Sequence, residues 1–441
     1  MHILKSTAEL KALLSPIEVA AYLTDAWNGS EQLNMVTDEI NMCFENPAQG
    51  KLIIKGGFKT GEQHFIIKFK STFKSKLKSI EANDNSINRC LTLIGDAETG
   101  VITSMLIDGA IEHKDESREE SSQLSDFDWT EIQNCLSATG DENVWRLQKE
   151  GFKAFSSGKV TIPPVIYMPF KGYGDLHLKG AHKNQGDIYV FKIATGFPSN
   201  VELGLQPSQG MMIAFDAITA KPLMVLRDEG HLTDLRTAIA GRNAAEEMME
   251  ADELIGIGVL GTGVQARLQI TLLKNLYPHC NKLTVWGHTK ANADKYANEM
   301  TDNGWEVNIV DTPKQVAQSS NLIVTTTPSE VALLEAADIT YTNTLIIAIG
   351  ADMPGKVELS ADLLKKAASV LIDSISQGKD HGNAAVAIKD NVINESDLQE
   401  FGDFLINGYK DPQAKNQLRL FLSSGIGVQD LQIVQAVIEG C

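Results

Sequence analysis

The sequence predicts an α/β protein in which a doubly wound parallel-sheet domain follows an α+β domain that is present twice, and three observations carry this. The stretch ELIGIGVLGTGVQARLQITLLKNL (253–276) reads as an apolar strand, a glycine turn and an amphipathic helix. Further near-continuous apolar runs follow at KLTVWGH (282–288), NLIVTTT (321–327), TLIIAIG (344–350) and SVLIDS (369–374), alternating with helical stretches such as KANADKYANEM. Such runs suit parallel strands covered on both faces. Upstream the texture changes to short alternating strands broken by turn residues, and it contains an approximate internal repeat.

In chain order, HFIIKFKSTF followed by LTLIGDAETGVITSMLIDGAIEHKDESR runs parallel to IYVFKIATGF followed by MMIAFDAITAKPLMVLRDEGHLTDLR. Lys68 then matches Lys192, Asp96 matches Asp216 and Arg118 matches Arg236. Leading helices correspond loosely, AELKALLSPIEVAAYLTDAW with EIQNCLSATGDENVWRLQKEGFKAF. The plainer alternative is that two β-meanders with Asp-x-x-Thr turns resemble each other by chance. The acidic, serine-rich stretch HKDESREESSQLSDFD (113–128) can bury little apolar surface and reads as a linker. The expected domains are a copy without a nucleotide domain at 1–120, a substrate-binding domain at 125–245 plus 405–441, and a parallel-sheet domain at 246–400.

Composition narrows the function. With 441 residues, 43% of them hydrophobic and 22% charged, the chain is globular material with room for more than one core. A formal net charge of -18 argues against binding nucleic acid, which needs a basic stripe to displace phosphate counterions. The start MHILKSTAELKALL is too polar for a secretory segment, and no apolar run approaches the roughly 18 residues of a membrane span. The expected location is cytoplasmic. Cys43, Cys90, Cys135, Cys280 and Cys441 are odd in number and far apart, which predicts scattered reduced thiols and no metal site.

Gly261-Thr262-Gly263-Val264-Gln265-Ala266 fits the G-x-G-x-x-G/A fingerprint of a Rossmann dinucleotide site, after a strand and opening a helix. The first glycine allows the tight turn, the second admits the pyrophosphate, and Ala266 permits close helix packing. The helix N-terminal amides then hold the phosphates. Where an NAD-preferring site places a carboxylate for the ribose hydroxyls, this chain has His288, Thr289 and Lys290. These could receive a 2′-phosphate, so NADP(H) is favoured over NAD(H), although Lys290 also reads as a solvated helix-start lysine.

LTDLRTAIAGRNAA, GVLGTGVQARLQ, VFKIATGFPSN, IAIGADMPGKVEL and SSGIGVQDL together resemble the ornithine cyclodeaminase/mu-crystallin family over roughly 125–441. The resemblance implies a Rossmann domain inserted after an α+β substrate and dimerisation domain, with the C-terminal helix returning to the latter. It also implies site residues. Lys192 looks like the family's active-site lysine, though a lysine in a strand is by itself an ordinary edge residue. Arg236 looks like the arginine that binds the substrate α-carboxylate with two parallel donors, Thr237 orienting it or capping the helix; the structural alternative is an arginine paired with Asp234 or Glu229. Asp352 matches the catalytic aspartate, which would accept an amino proton or activate water. Thr325, Thr326 and Thr327 would border the cofactor, and Gly425 and Ile426 would approach the nicotinamide.

The sequence departs from the family pattern in VTIPPVIYMPFKGYGDLHLKGAHK: no arginine follows Pro163 and Pro164, where Val165 and Ile166 stand, and His177 or Asp175 replaces a glutamate. That puts cyclodeamination of ornithine in doubt, although His177 could serve as a replacement acid. The implied function is an NAD(P)-dependent oxidoreductase acting on the C–N bond of a small amino or imino acid. The alternatives are a cyclodeaminase with catalytic NAD and a nucleotide-bound protein without turnover. The implied assembly is a homodimer, or a pseudo-dimer made in cis from the two copies.

Overall fold

In the computed structural model the described residues are 2–4, 40–44, 50–58, 64–74, 86–108 and 124–441. The expected leading helix at 8–27, most of the linker and Arg118 lie outside them. The chain divides into two compact units, one formed by Met1–Ala138, Val160–His231 and Val437–Cys441, the other by Thr139–Lys159 and Leu232–Ala436.

The first unit contains two sheets. Strands β1 (His2–Leu4), β2 (Ile40–Phe44), β3 (Gly50–Phe58), β4 (His64–Lys74), β5 (Ser86–Asp96) and β6 (Ile102–Asp108) form one, in the order β1-β6-β5-β4-β3-β2. Strands β7 (Ser125–Phe127), β8 (Val160–Thr161), β9 (Ile166–Phe170), β10 (Gly174–Lys183), β11 (Ile188–Gly196), β12 (Ser208–Asp216) and β13 (Pro222–Leu226) form the other, in the order β7-β13-β12-β11-β10-β8, with β9 also on β10. Their details run in step. Lys68 faces Lys55 across β3 and β4, as Lys192 faces Lys179 across β10 and β11. The ladder slips between Ile94 and Gly95 in one sheet and between Ala214 and Phe215 in the other. The turn after each slip is tied by an aspartate: Asp96 accepts from the Thr99 N–H and hydroxyl, and Asp216 from those of Thr219. Edge strands β1 and β7 each pair in parallel, with β6 and β13.

Period-2 alternation gives β3 one buried face, whereas β11 and β12 are buried on both. Phe65, Ile67, Phe69 and Phe73 on β4 and Phe191 and Ile193 on β11 join a single core. Rings from the two sheets touch directly, Phe65 with Phe170 at 5.2 Å between centroids and Phe69 with Phe191 at 5.5 Å. The same unit holds helix α1 (Trp129–Thr139). Its Cys135 is joined to Cys441 by a disulfide with Cα atoms 5.1 Å apart, which corrects the expectation of five reduced thiols. A separation of 306 residues conceals such a pair until tertiary structure brings its ends together.

The second unit is built on eight parallel strands in the order β16-β15-β14-β17-β18-β21-β19-β20. They are β14 (Ile257–Leu260), β15 (Lys282–Trp286), β16 (Glu306–Ile309), β17 (Leu322–Thr325), β18 (Leu345–Ala348), β19 (Ser369–Ile372), β20 (Leu398–Glu400) and β21 (Arg419–Leu422). β14, β17, β18 and β21 are buried at every position, as strands covered on both faces must be. The helices are α2 (Asp141–Ser156), α3 (His231–Met248), α4 (Val264–Leu276), α5 (Lys290–Asp302), α6 (Pro313–Ser319), α7 (Ala361–Lys366), α8 (Ile375–Gly378), α9 (Gly382–Lys389), α10 (Phe401–Asn407) and α11 (Gly427–Gly440). Local chemistry sets their starts: Thr312 and Gln315 form a capping box with Pro313 at the first turn of α6. The segment expected to return to the substrate domain places β21 between β18 and β19, and α11 follows it. No helix among the described residues is long and apolar enough to cross a membrane.

Candidate active site

Strand order reverses between β14 and β17, and the loops leaving the carboxyl ends of β17, β18 and β21 line a cleft of about 270 Å³ in the second unit. This is where an open parallel sheet binds ligands. Thr326, Thr327, Gly350, Asp352, Ser424 and Gly425 come from these loops, Arg236 and Thr237 from α3, and Gln265 from α4.

The glycine turn has the geometry the fingerprint requires. Gly261 has φ +109°, where a side chain would be strained, and its N–H donates to the Trp286 carbonyl at 2.9 Å. A Cβ on Gly263, at the start of α4, would meet nothing within 4 Å, so backbone is open to a pyrophosphate. Val264 is exposed and Ala266 fully buried, its carbonyl accepting from the Tyr296 hydroxyl at 3.1 Å. Gln265 turns toward α3 and donates to the Asp234 carbonyl and carboxylate, both at 3.1 Å. At the end of β15, His288, Thr289 and Lys290 are exposed. The Thr289 hydroxyl accepts from the Asn292 N–H at the start of α5, and Lys290 Nζ lies 3.6 Å from Asp294.

Arg236 is buried, and its partner is neither Asp234 nor Glu229. Nε lies 3.0 Å from Asp430 Oδ1 on α11, and Nη1 donates to Gln429 Oε1 at 3.2 Å. The same Gln429 oxygen accepts from the Ile426 N–H at 2.8 Å, joining the buried Ile426 to the arginine's support. Gly425 has φ +80°, and a Cβ there would sit 2.5 Å from Arg236 Nη1, so only glycine lets this loop pass the guanidinium. Thr237 lines the cleft, but its hydroxyl bonds back to the Thr233 carbonyl at 2.8 Å. Asp352 is half-exposed and meets Lys356 Nζ at 2.7 Å.

The three threonines divide their tasks. Thr326 packs on the glycine turn and donates to the Leu260 carbonyl at 3.2 Å, Thr327 borders the cleft, and Thr325 is fully buried with its hydroxyl on Glu358. Lys192 and His177 belong to the first unit. Lys192 stands in the middle of its sheet, on the face opposite Phe191, and is 3% exposed; it is no edge residue. His177 is partly exposed, 3.5 Å from Asp175, with its ring against Tyr167.

Four supporting residues escaped the sequence reading: Gln429, Asp430, Glu358 and Asp373. Asp373 directly follows β19 and accepts from the Ser423 hydroxyl and from the Ser424 and Gly425 N–H groups at 2.7–3.0 Å. A carboxylate directly after an apolar parallel strand was a usable signal, because loops there carry the site.

The fold and this cleft define a dinucleotide-binding α/β unit with an arginine and a carboxylate at its mouth. The chain belongs to the ornithine cyclodeaminase/mu-crystallin family, whose model matches residues 134–441. It is 30% identical over 292 residues to alanine dehydrogenase of Archaeoglobus fulgidus, covering 66% of this chain and 88% of that one. It is 25% identical over 261 residues to iminosuccinate reductase of Paracoccus denitrificans, covering 59% and 79%. Among solved structures, an archaeal alanine dehydrogenase dimer with bound NAD superposes with a TM-score of 0.64 and 26% identity over 72% of this chain and 95% of that one. A Thermococcus litoralis pyrroline-2-carboxylate reductase shares the fold, at a TM-score of 0.64 and 20% identity over 72% and 97%.

Proposed function

We propose that the chain is an NAD(P)-dependent oxidoreductase acting on the carbon–nitrogen bond of a small amino or imino acid. The observation that carries this is the buried Arg236, held by Asp430 and Gln429 at the edge of the cleft that also contains Asp352. A guanidinium so held is preorganised for a carboxylate, and the names of the relatives agree on amino- and imino-acid chemistry.

When bound, a nicotinamide cofactor would supply the hydride chemistry at the substrate α-carbon. Gly261, Gly263 and the first turn of α4 would hold the pyrophosphate, and the loops at Thr326–Thr327 and Gly425–Ile426 would flank the ring. Arg236 anchors the α-carboxylate, which fixes the α-carbon. Asp352 takes the amino proton or activates water, released from Lys356 when substrate enters. For Lys192 the family resemblance implies a role in stabilising charge that develops on the substrate. The absence of a carboxylate after β15, with His288, Thr289 and Lys290 exposed there, favours NADP(H) over NAD(H). Titrating both reduced cofactors by fluorescence tests this; tighter NADPH is expected, and equal or reversed affinity overturns it.

The first sheet is read as a second copy of the substrate-domain sheet, packed in cis as an internal partner. Matching ladder slips, matching aspartate turns and a shared core support that reading. Lys68 is then a relic, and so is Arg118. One active site per chain is expected.

A further inference from the structure

Glu358 is fully buried, and the reaction outlined above gives it no task. Its carboxylate nevertheless takes four hydrogen bonds. Oε1 accepts from the Thr327 N–H at 2.6 Å and hydroxyl at 2.8 Å, and Oε2 from the Thr325 hydroxyl at 2.7 Å and the Gly350 N–H at 2.9 Å. Thr325–Thr327 leave β17 and Gly350 leaves its neighbour β18, so one side chain ties two adjacent strand ends where their loops line the cleft. The clasp is itself fixed, because the N–H groups of Glu358 and Leu359 both donate to Asn383 Oδ1, at 2.8 and 2.9 Å.

Burial pushes the Glu358 carboxyl up in pKa, and the four donors work against that shift. Each carboxylate oxygen meets one backbone N–H, an obligatory donor, and one hydroxyl. Glutamine has one acceptor oxygen and presents an NH2 on the other side, so one of the two backbone N–H groups would face a donor. The carboxylate's own side leaves no slack: a Cβ on Gly350 would lie 2.2 Å from the Thr327 carbonyl oxygen and 2.6 Å from Glu358 Oε1. Only a glycine at 350 therefore lets the two loops meet on the carboxylate.

We propose that Glu358 is a positioning residue, fixing the separation between the Thr326–Thr327 loop and the Gly350–Asp352 loop. It thereby holds the group assigned to proton transfer in register with the loop assigned to the cofactor. Its role in catalysis rests on the proposed function; the clasp does not. A misplacement on the order of 1 Å can cost about a hundredfold in rate.

The test uses the full-length chain with Glu358→Gln and Glu358→Asp, the aspartate being one methylene too short to span both strand ends. Amide exchange at Thr327 and Gly350 is followed beside steady-state kinetics. At least one of these amides is expected to exchange about tenfold faster in each variant. kcat is expected to fall about 10- to 100-fold, with KM for the amino acid moving less than about threefold. Unchanged exchange at both amides overturns the clasp, and wild-type kcat with only a lower melting temperature overturns the positioning role. If Glu358→Gln does not fold, Glu358→Asp decides by the same readouts. A wild-type chain that neither oxidises an amino acid nor reduces an imino acid would sink the functional reading while leaving the exchange result to decide the clasp.

Discussion

Deleting residues 1–123 removes the first sheet and bares the face it covers. Phe170, Phe191 and Phe215 are each at most 2% exposed and pack against Phe58, Phe65 and Phe69 at centroid distances of 5.0–5.8 Å. Burying a phenylalanine contributes about 1.5–3 kcal/mol, so these three rings alone forfeit up to roughly 5–9 kcal/mol. A whole domain is stable by only about 5–15 kcal/mol, so the truncated chain cannot leave this face in water. The full chain is therefore expected to run as a monomer in light scattering, and residues 124–441 as a dimer or larger, dye-binding species. In the intact chain, Lys68→Ala is expected to leave kcat within about twofold and Lys192→Ala to lower it by about a hundredfold or more. A soluble, fully active, truncated monomer would refute the reasoning, as would a Lys68 as essential as Lys192.

Asp352→Asn is expected to bind dinucleotide normally in a fluorescence titration and to turn over at least about a hundredfold more slowly, the usual scale for a lost proton-transfer group. Arg236→Ala and Asp430→Ala each break this buried ion pair and are expected to cost about 3–5 kcal/mol in urea unfolding. The double variant should cost about 1–3 kcal/mol less than their sum; strict additivity would mean the pair is not coupled. Burial raises the pKa of the Glu246 carboxyl, but hydrogen bonds from Arg242 and Lys149 outweigh this and hold it below its ordinary value. A depressed carboxylate contributes stability above the unfolded-state pKa of 4.5 and loses it as pH falls through the folded value. The melting-temperature gap between wild type and Glu246→Gln should therefore narrow as pH drops from neutral to below that range, and a constant gap would contradict the assignment.

The parallel sheet was legible because its strands are apolar throughout: the runs at 282–288, 321–327, 344–350 and 369–374 each contain a strand. β16 was not, since its residues Glu306–Ile309 are mostly exposed and carry no periodic signal. β21 was hidden differently, because its pairing with β18 and β19 is long-range and RLFL is too short to announce its sheet. At the site, the glycine turn could be read from local motif chemistry, whereas Arg236 and Asp352 were singled out by the family resemblance, and the fold brings both to one cleft. The partners that hold them could be read from neither. Asp430 lies 194 residues from Arg236, and Glu358 serves Thr325 and Thr327 across two strands, so only the folded chain supplies those pairings. The Cys135–Cys441 bridge escaped for the same reason.

The most direct measurement of the central claim is the absorbance of reduced nicotinamide while the full-length chain is incubated with a panel of small amino acids and stoichiometric NADP+ or NAD+, and in reverse with keto acids and amines. A reading of C–N oxidoreduction predicts net, stoichiometric formation or consumption of NAD(P)H with at least one small amino or imino acid, slowed at least about a hundredfold in Asp352→Asn. Substrate consumption with ammonia release but no net change in the cofactor would contradict it in favour of cyclodeamination, and dinucleotide binding without turnover of any substrate would contradict it in favour of a binding protein.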